Sequence, residues 1–215
     1  MLLPYCRDAV GALRAPTVEA RWRVLVSGCL AAWPCGVDGT DYGLGAELKG
    51  LLSLPTIHLL PFCPEQIVLG TPRAVPDIHD GDGVDVMQGR ARVLDEHGMD
   101  VTDLMIAGAR AMLEHARRER ADLAILTDMS ASCGSQVISS GSRLTPVRSF
   151  QKGVGVATAL LLEAGIPVVS QRDFRTLALV RQRLDPAYEP PAGLRDHHEH
   201  PWTLEHLPLP HPRTR

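Results

Sequence analysis

Aromatic residues are scarce: Phe, Trp and Tyr together make up 4% of the 215-residue chain. A core must therefore be built from Leu, Val, Ile and Ala. Net charge is small as well. A formal charge of -3 provides no basic face to neutralise phosphates, which argues against a nucleic-acid polymer as partner. Long apolar runs are missing too. Apolar stretches such as Val24 to Val26 are strand-sized, so no membrane span is expected. Met1 to Pro16 carries Arg7, Asp8 and Arg14 in place of the unbroken apolar stretch of a secretory signal. Cysteine occurs five times. An odd count without an export signal argues against a disulfide framework and for a reducing, cytoplasmic setting. Paired zinc ligands of the C-x2-C kind are absent: Cys29 and Cys35 have five residues between them.

What is present is an ordinary globular balance, 45% hydrophobic and 22% charged. The pattern divides into a helical arm (1–21), an α/β domain (22–184) and a Pro/His-rich tail (185–215). The arm is read as a short helix starting near Pro4. Trp22 to Ser27 is a compact β-branched run that stops at Gly28, a strand ending in a tight turn. Residues Leu30 to Tyr42 carry loop chemistry, and Leu44 to Leu54 reads as an amphipathic helix stopped by Pro55. Thr56 to Leu60 is a second strand, followed by a long surface loop from Gly70 to Asp85 and a short strand at Gly89 to Leu94. Val101 to Arg120 is the best helix, capped by Asp100 or Thr102. Its apolar face is expected to hold Leu104, Ala107, Ala111, Leu113 and Ala116. Asp122 to Leu126 is apolar after its first residue, as a strand covered on both faces should be. A polar loop (Ser135 to Gln151), a helix (Gly153 to Ala164), a strand (Ile166 to Ser170) and a last helix (Phe174 to Leu184, with Asp173 as cap) complete the domain. Alternating strands and helices predict a mainly parallel sheet with helices on both faces, a Rossmann-like three-layer α/β fold.

In an open parallel sheet, residues just past the strand C-terminal ends converge on one crevice. Cys29 follows the first strand, Cys63 the second and Cys133 the third. Thiols gathered there in a reducing compartment are metal-bound or reactive, whereas thiols buried independently are inert core groups. Three scattered thiolates suit a cubane cluster with one iron left without a protein ligand better than they suit a four-ligand zinc site.

Several short motifs occur in a fixed order: Ser27-Gly-Cys-Leu30, Val37-Asp-Gly39, Phe62-Cys-Pro-Glu65, Gly70-Thr-Pro-Arg73, Gly89-Arg-Ala-Arg92 with Asp100-Val-Thr102, Ser130-Ala-Ser-Cys-Gly134 and Gly153-Val. Together they resemble the signature of the thiouracil desulfidase-like family, over roughly residues 22 to 170. The resemblance implies a [4Fe-4S] cluster on Cys29, Cys63 and Cys133 whose fourth iron accepts sulfur from a small thiolated nucleobase, such as 2- or 4-thiouracil. It makes Cys35 non-ligating, because many relatives have other residues there. The chain departs from the family at Gly36-Val37, where Arg-Tyr is common, at Ala131, where Pro is common, and at Ile67-Val-Leu69, where glycines are expected. These departures bear on the substrate and leave the cluster ligands in place.

Removing sulfur without redox change needs a thiophilic Lewis acid, an attacking water and a proton relay. Glu65, two residues past Cys63, is assigned the relay; otherwise it is a first-turn acid favoured by a helix dipole. Ser130 is the second catalytic candidate and Ser132 a substrate contact, each with turn stabilisation as the alternative role. Asp38 either orients substrate or caps the turn with Gly39. Gly81-Asp-Gly83 reads as plain turn chemistry, Trp33 as a packing anchor, and His197, His198 and His200 as a solvated or incidentally metal-binding cluster away from the crevice. A cluster-bearing sensor without turnover, and a metal-free thiol enzyme using Cys63 or Cys133, are the competing readings.

Overall fold

The computed structural model describes residues 6–46 and 48–207. The expected helix start near Pro4, Glu47 within the expected Leu44 to Leu54 helix, and tail residues 208–215 lie outside the described residues. In chain order the structure runs α1 (Arg7–Ala12), β1 (Trp22–Ser27), α2 (Lys49–Leu52), β2 (Ile57–Phe62), α3 (Gln66–Leu69), β3 (Asp77–His79), α4 (Gly83–Met87) and β4 (Arg92–Leu94). It continues with α5 (Thr102–Arg118), β5 (Leu123–Leu126), β6 (Val137–Ser139), β7 (Phe150–Lys152), α6 (Val156–Glu163), β8 (Val168–Ser170), α7 (Phe174–Leu184) and α8 (Pro201–His206). None of the described helices is long and apolar enough to cross a membrane.

The central sheet is parallel, in the order β2-β1-β5-β8. Side chains alternate across it. From β1, Leu25 joins Met105, Ala109, Met112 and Leu161 of α5 and α6 on one face. Val24 and Val26 join Leu51, Leu177, Val180 and Leu184 of α2 and α7 on the other. Both faces are thus covered, as expected for the fully buried β5 run, and each large aliphatic side chain so enclosed contributes about 1.5–3 kcal/mol.

Helix α5 buries Ala116 and packs Leu113 partly against the core, as its Leu and Ala spacing suggested, but the rest of its inward face is different. It buries Met105, Gly108, Ala109, Met112 and Ala116, while Leu104 is left 46% exposed. The rotation follows from a backbone contact. A Cβ on Gly108 would lie 2.2 Å from the Pro64 carbonyl oxygen, so glycine must face the turn after β2, and the methionines on the same side fill the space below.

Other expectations also need correction. The Leu44 to Leu54 helix is broken into a 3-10 turn at Leu44–Ala46 and the short α2. The presumed loop from Gly70 to Asp85 contains β3 and α4, and β3 pairs antiparallel with β4. Gly81-Asp-Gly83 is the start of α4. The Asp82 side chain accepts the Val84 and Asp85 amides while the Asp85 side chain accepts the Asp82 amide, a capping box. The polar loop after Cys133 contains the buried β6, paired antiparallel with β7. The tail is packed down through at least Leu207. Asp196 pairs with Arg7 of α1 and accepts the Thr176 amide and hydroxyl of α7. Asp173, Asp196 and His198 place ligand atoms within 4.8 Å of one another, but the Arg7 guanidinium already supplies the compensating cation there.

Candidate active site

Three loops at the C-terminal edge of the sheet carry the cysteines. After β1 the chain turns through a 3-10 segment, Gly28–Ala31, that places Cys29, and then bends back to bring Cys35 beneath it. Gly28 is needed for this return. A Cβ there would lie 2.9 Å from the Trp33 ring, 3.0 Å from Cys35 Sγ and 3.4 Å from the Cys63 Cβ. Cys63 directly follows β2 and sits under Pro64, whose carbonyl meets Gly108 of α5. Cys133 lies in the turn after β5, which is seated on the N-terminus of α6. Amides at the start of that helix would otherwise have no partner. Here Val156 donates to Ala131 O, Ala157 and Thr158 to Ser132 O, and Gly155 to Gly134 O. The Thr158 hydroxyl adds a bond to Cys133 O at 2.9 Å.

Cys29, Cys35, Cys63 and Cys133 all line one cavity of about 540 Å³. All are free thiols, with Cys35, Cys63 and Cys133 buried. Cys29 Sγ lies 2.9 Å from Thr127 Oγ1, and Cys63 Sγ accepts the Gln66 amide at 3.4 Å. A hydrogen bond from Cys35 lowers the pKa of Cys29. The same donor brings Cys63 down to about 7. Cys35, which has one proton and either sulfur as its partner, is raised. Burial pushes the Cys133 thiol up, and the charges nearby add to the effect.

Glu65 forms the cavity wall beside Cys63. Its Oε2 pairs with Arg73 Nη2 at 2.8 Å, with both side chains almost fully enclosed, and its Oε1 accepts the Ser130 hydroxyl at 3.0 Å. In both contacts a Glu65 carboxylate oxygen is the acceptor. Ser130 Oγ in turn accepts the amides of Ser132 at 3.2 Å and Cys133 at 3.1 Å. The hydroxyl therefore ties the Cys63 loop to the Cys133 loop and has no proton left for another partner. Arg73 also donates to the carbonyls of Cys35, at 3.0 Å, and Gly70, at 3.1 Å. One guanidinium thus braces the loops of Cys35 and Cys63.

The structure brings Cys29, Cys63, Cys133, Glu65 and Ser130 together at this cavity. Asp38 and Ser132 are not among the residues that line it. Asp38 accepts the amide and hydroxyl of Thr40, at 2.9 and 2.8 Å, and so closes its own turn. The Ser132 hydroxyl is buried and points at Met105 Sδ, 4.0 Å away.

Three groups escaped the sequence reading. Cys35 was set apart from the ligand thiols yet shares their cavity. Arg73 was visible only as the end of a motif. The third is His197, expected to be far from the crevice. Its Nδ1 lies 2.6 Å from Oδ2 of Asp128, a residue of the cavity wall. Asp128 also accepts the amides of Ser135, Gln136 and Val137. Burial raises its pKa, but the bond and charge of His197 outweigh this and leave it below the usual carboxylate range. The tail therefore clamps the base of the Cys133 loop.

Comparison with known proteins identifies the family. The family described as 2-thiouracil desulfurase matches residues 24–173. The uncharacterised protein YbbK of Bacillus subtilis (strain 168) is 33% identical over 159 residues, covering 72% of this chain and 99% of that protein. Among solved structures, the [4Fe-4S]-dependent thiouracil desulfidase TudS is 32% identical with a TM-score of 0.60, over 74% of this chain and 97% of that one. Three strand-end thiols around one cavity, and a match that covers most of the sheet, lead to one assignment: the chain belongs to the 2-thiouracil desulfurase family.

Proposed function

We propose that this protein is a [4Fe-4S]-dependent, non-redox desulfidase that converts a small thiolated pyrimidine, such as 2- or 4-thiouracil, and water into uracil and hydrogen sulfide. Cys29, Cys63 and Cys133 would hold the cluster. The donor set fits it: soft sulfur ligands from three separate strand ends share one cavity, while the nearby carboxylate is occupied by Arg73 and Ser130. When bound, the cluster supplies a thiophilic Lewis acid for the thiocarbonyl sulfur.

The remaining work falls to the chain. Glu65, held as an acceptor by Arg73 and Ser130, takes a proton from the water that attacks the ring carbon. The same carboxylate then returns it to the departing sulfide or to the ring nitrogen, so the proton count closes over one turnover. Arg73 holds the Glu65 carboxylate in place, and Ser130 fixes its distance from the Cys133 loop. Phe62, Val75 and Tyr42 present apolar surface to a flat base. Asp38 and Ser132, which do not line this cavity, would act on substrate only indirectly. A reducing cytoplasm suits four unpaired thiols at one site. Residues 22–184 would carry the chemistry, with 1–21 and 185–215 as arms.

The observation that carries this reading is the convergence of the three strand-end thiols beside the Glu65–Arg73 pair. Protein purified without oxygen should contain iron and acid-labile sulfide in cluster proportions and release sulfide and uracil from thiouracil. A colourless protein that takes up no iron on anaerobic reconstitution would refute it. Cluster binding without turnover on any thiolated pyrimidine would favour a sensor module.

A further inference from the structure

Cys35 is a buried thiol that the proposed chemistry does not use, and its surroundings are unusual for an inert core residue. Its exposure is 2%, yet it borders the cavity rather than a hydrocarbon layer. Cys35 Sγ and the Cys63 Cβ fall within 3.4 Å of a single point, the vacant Cβ position of Gly28. Cys63 Sγ lies 3.8 Å from the Cys35 carbonyl oxygen. The Cys35 thiol is also within hydrogen-bonding reach of the Cys29 and Cys63 sulfurs. The loop is fixed from three sides: Arg73 holds the Cys35 carbonyl, Trp33 O accepts the Cys35 amide, and Gly28 removes the side chain that would separate the sulfurs.

We propose that Cys35 is a redox-modification site, forming a reversible disulfide with Cys63 or Cys29 when the cluster is absent, and thereby closing the empty ligand set to iron. The inference rests on Cys29 and Cys63 being ligands in the reading above. The oxidant class is a peroxide small enough to enter the cavity. One thiol gives up its proton and attacks hydrogen peroxide as the thiolate, forming a sulfenic acid and hydroxide that takes up that proton as water; the second thiol then displaces the sulfenic hydroxyl, which leaves with the second thiol's proton as another water. Two thiols are oxidised by two electrons, the peroxide is reduced to two waters, and one S–S bond forms. A dithiol reductant reverses the reaction by exchange. A bridged Cys63 or Cys29 has no thiolate to offer, so metal uptake waits for reduction. The bridge spares ligand sulfurs from irreversible overoxidation while the site stands empty.

The test uses the full chain with its iron removed anaerobically and its thiols reduced. After one equivalent of hydrogen peroxide, thiol titration should show the loss of two of the five cysteines. Peptide mass spectrometry should join Cys35 to Cys63 or Cys29. Iron incorporation should be blocked and then restored by dithiothreitol, whereas Cys35→Ser should still accept iron after the same treatment. Recovery of Cys35 as a free thiol in the oxidised protein, or a bridge that leaves it out, overturns the proposal. So does equal loss of iron uptake in Cys35→Ser. The disulfide map is read without turnover, so it decides the matter even in a protein that proves inactive on thiouracil.

Discussion

Replacing Arg73 with Ala tests the site at its most constrained point. Its side chain and that of Glu65 are 6% and 10% exposed, so the truncation leaves an enclosed carboxylate without its cation. Breaking a buried pair in this way costs about 3–5 kcal/mol. The lost bonds to the Cys35 and Gly70 carbonyls add about 0.5–1.5 kcal/mol each. Against a domain stability of about 5–15 kcal/mol, the variant should be close to the edge of folding. The assay is urea unfolding of cluster-free, reduced protein, so that metal linkage does not enter. A Glu65→Gln/Arg73→Met double variant removes both charges and should recover roughly 2 kcal/mol or more of the loss. If Arg73→Ala lies within about 0.5 kcal/mol of the parent, or if the double variant is no better than the single one, the buried pair does not brace the Cys35 and Cys63 loops.

Three further outcomes are expected. In Glu65→Gln the amide oxygen still accepts from Arg73, so the folded protein should keep its iron while sulfide release falls about 10²–10⁴-fold, although the buried Arg73 left without a counter-charge costs stability; loss of iron in the folded variant would mean that Glu65 only braces the loops. Gly155→Ala places a Cβ 2.4 Å from the Ser132 carbonyl, so stability should drop by about 1–3 kcal/mol and iron per chain should fall, whereas normal loading would mean that the α6 N-terminus does not position Cys133. Asp173, buried beside Asp128 and Asp196, has its pKa pushed up to about 7 by desolvation. A carboxylate raised in the fold contributes stability that is complete below its unfolded pKa and is lost as pH rises towards the folded one. Between pH 5 and 8, Asp173→Asn should therefore gain on the parent by roughly 3 kcal/mol; a difference in unfolding free energy that does not change with pH would show that Asp173 titrates normally.

The elements legible in the sequence are those whose signal is local. Trp22–Ser27 is a β-branched run stopped by glycine, and Phe174–Leu184 a 3.6-period pattern between Asp and Asp; both fall where the spacing placed them. Strand β4 falls inside the short strand expected at Gly89 to Leu94, but β3, β6 and β7, each of three residues, are too short to show an alternation. They exist because a partner strand is brought alongside. The capping box of α4 was hidden because Asp, where Glu or Gln is usual, closes it. The inward face of α5 is decided by Gly108 against the Pro64 carbonyl, a contact that hydrophobic periodicity cannot register.

The same division runs through the site. The strand-end rule located Cys29, Cys63 and Cys133, because in a parallel sheet the position after a strand is itself a spatial coordinate. The groups that hold those loops still are pairs that spacing does not announce, most of them far apart in the chain. Arg73 meets Glu65 across a turn, Ser130 reaches Glu65 from 65 residues away, and His197 reaches Asp128 from 69 residues away. The family match ends at residue 173, so the His197 clamp is drawn from sequence outside it. A ligand set is carried by motifs that are short and ordered along the chain. Its rigidity depends on buried charges that must find each other during folding, and a distant tail can supply part of it without touching any motif. In this chain the loop that carries Cys133 is held from two directions, by Ser130 towards Glu65 and by Asp128 towards His197.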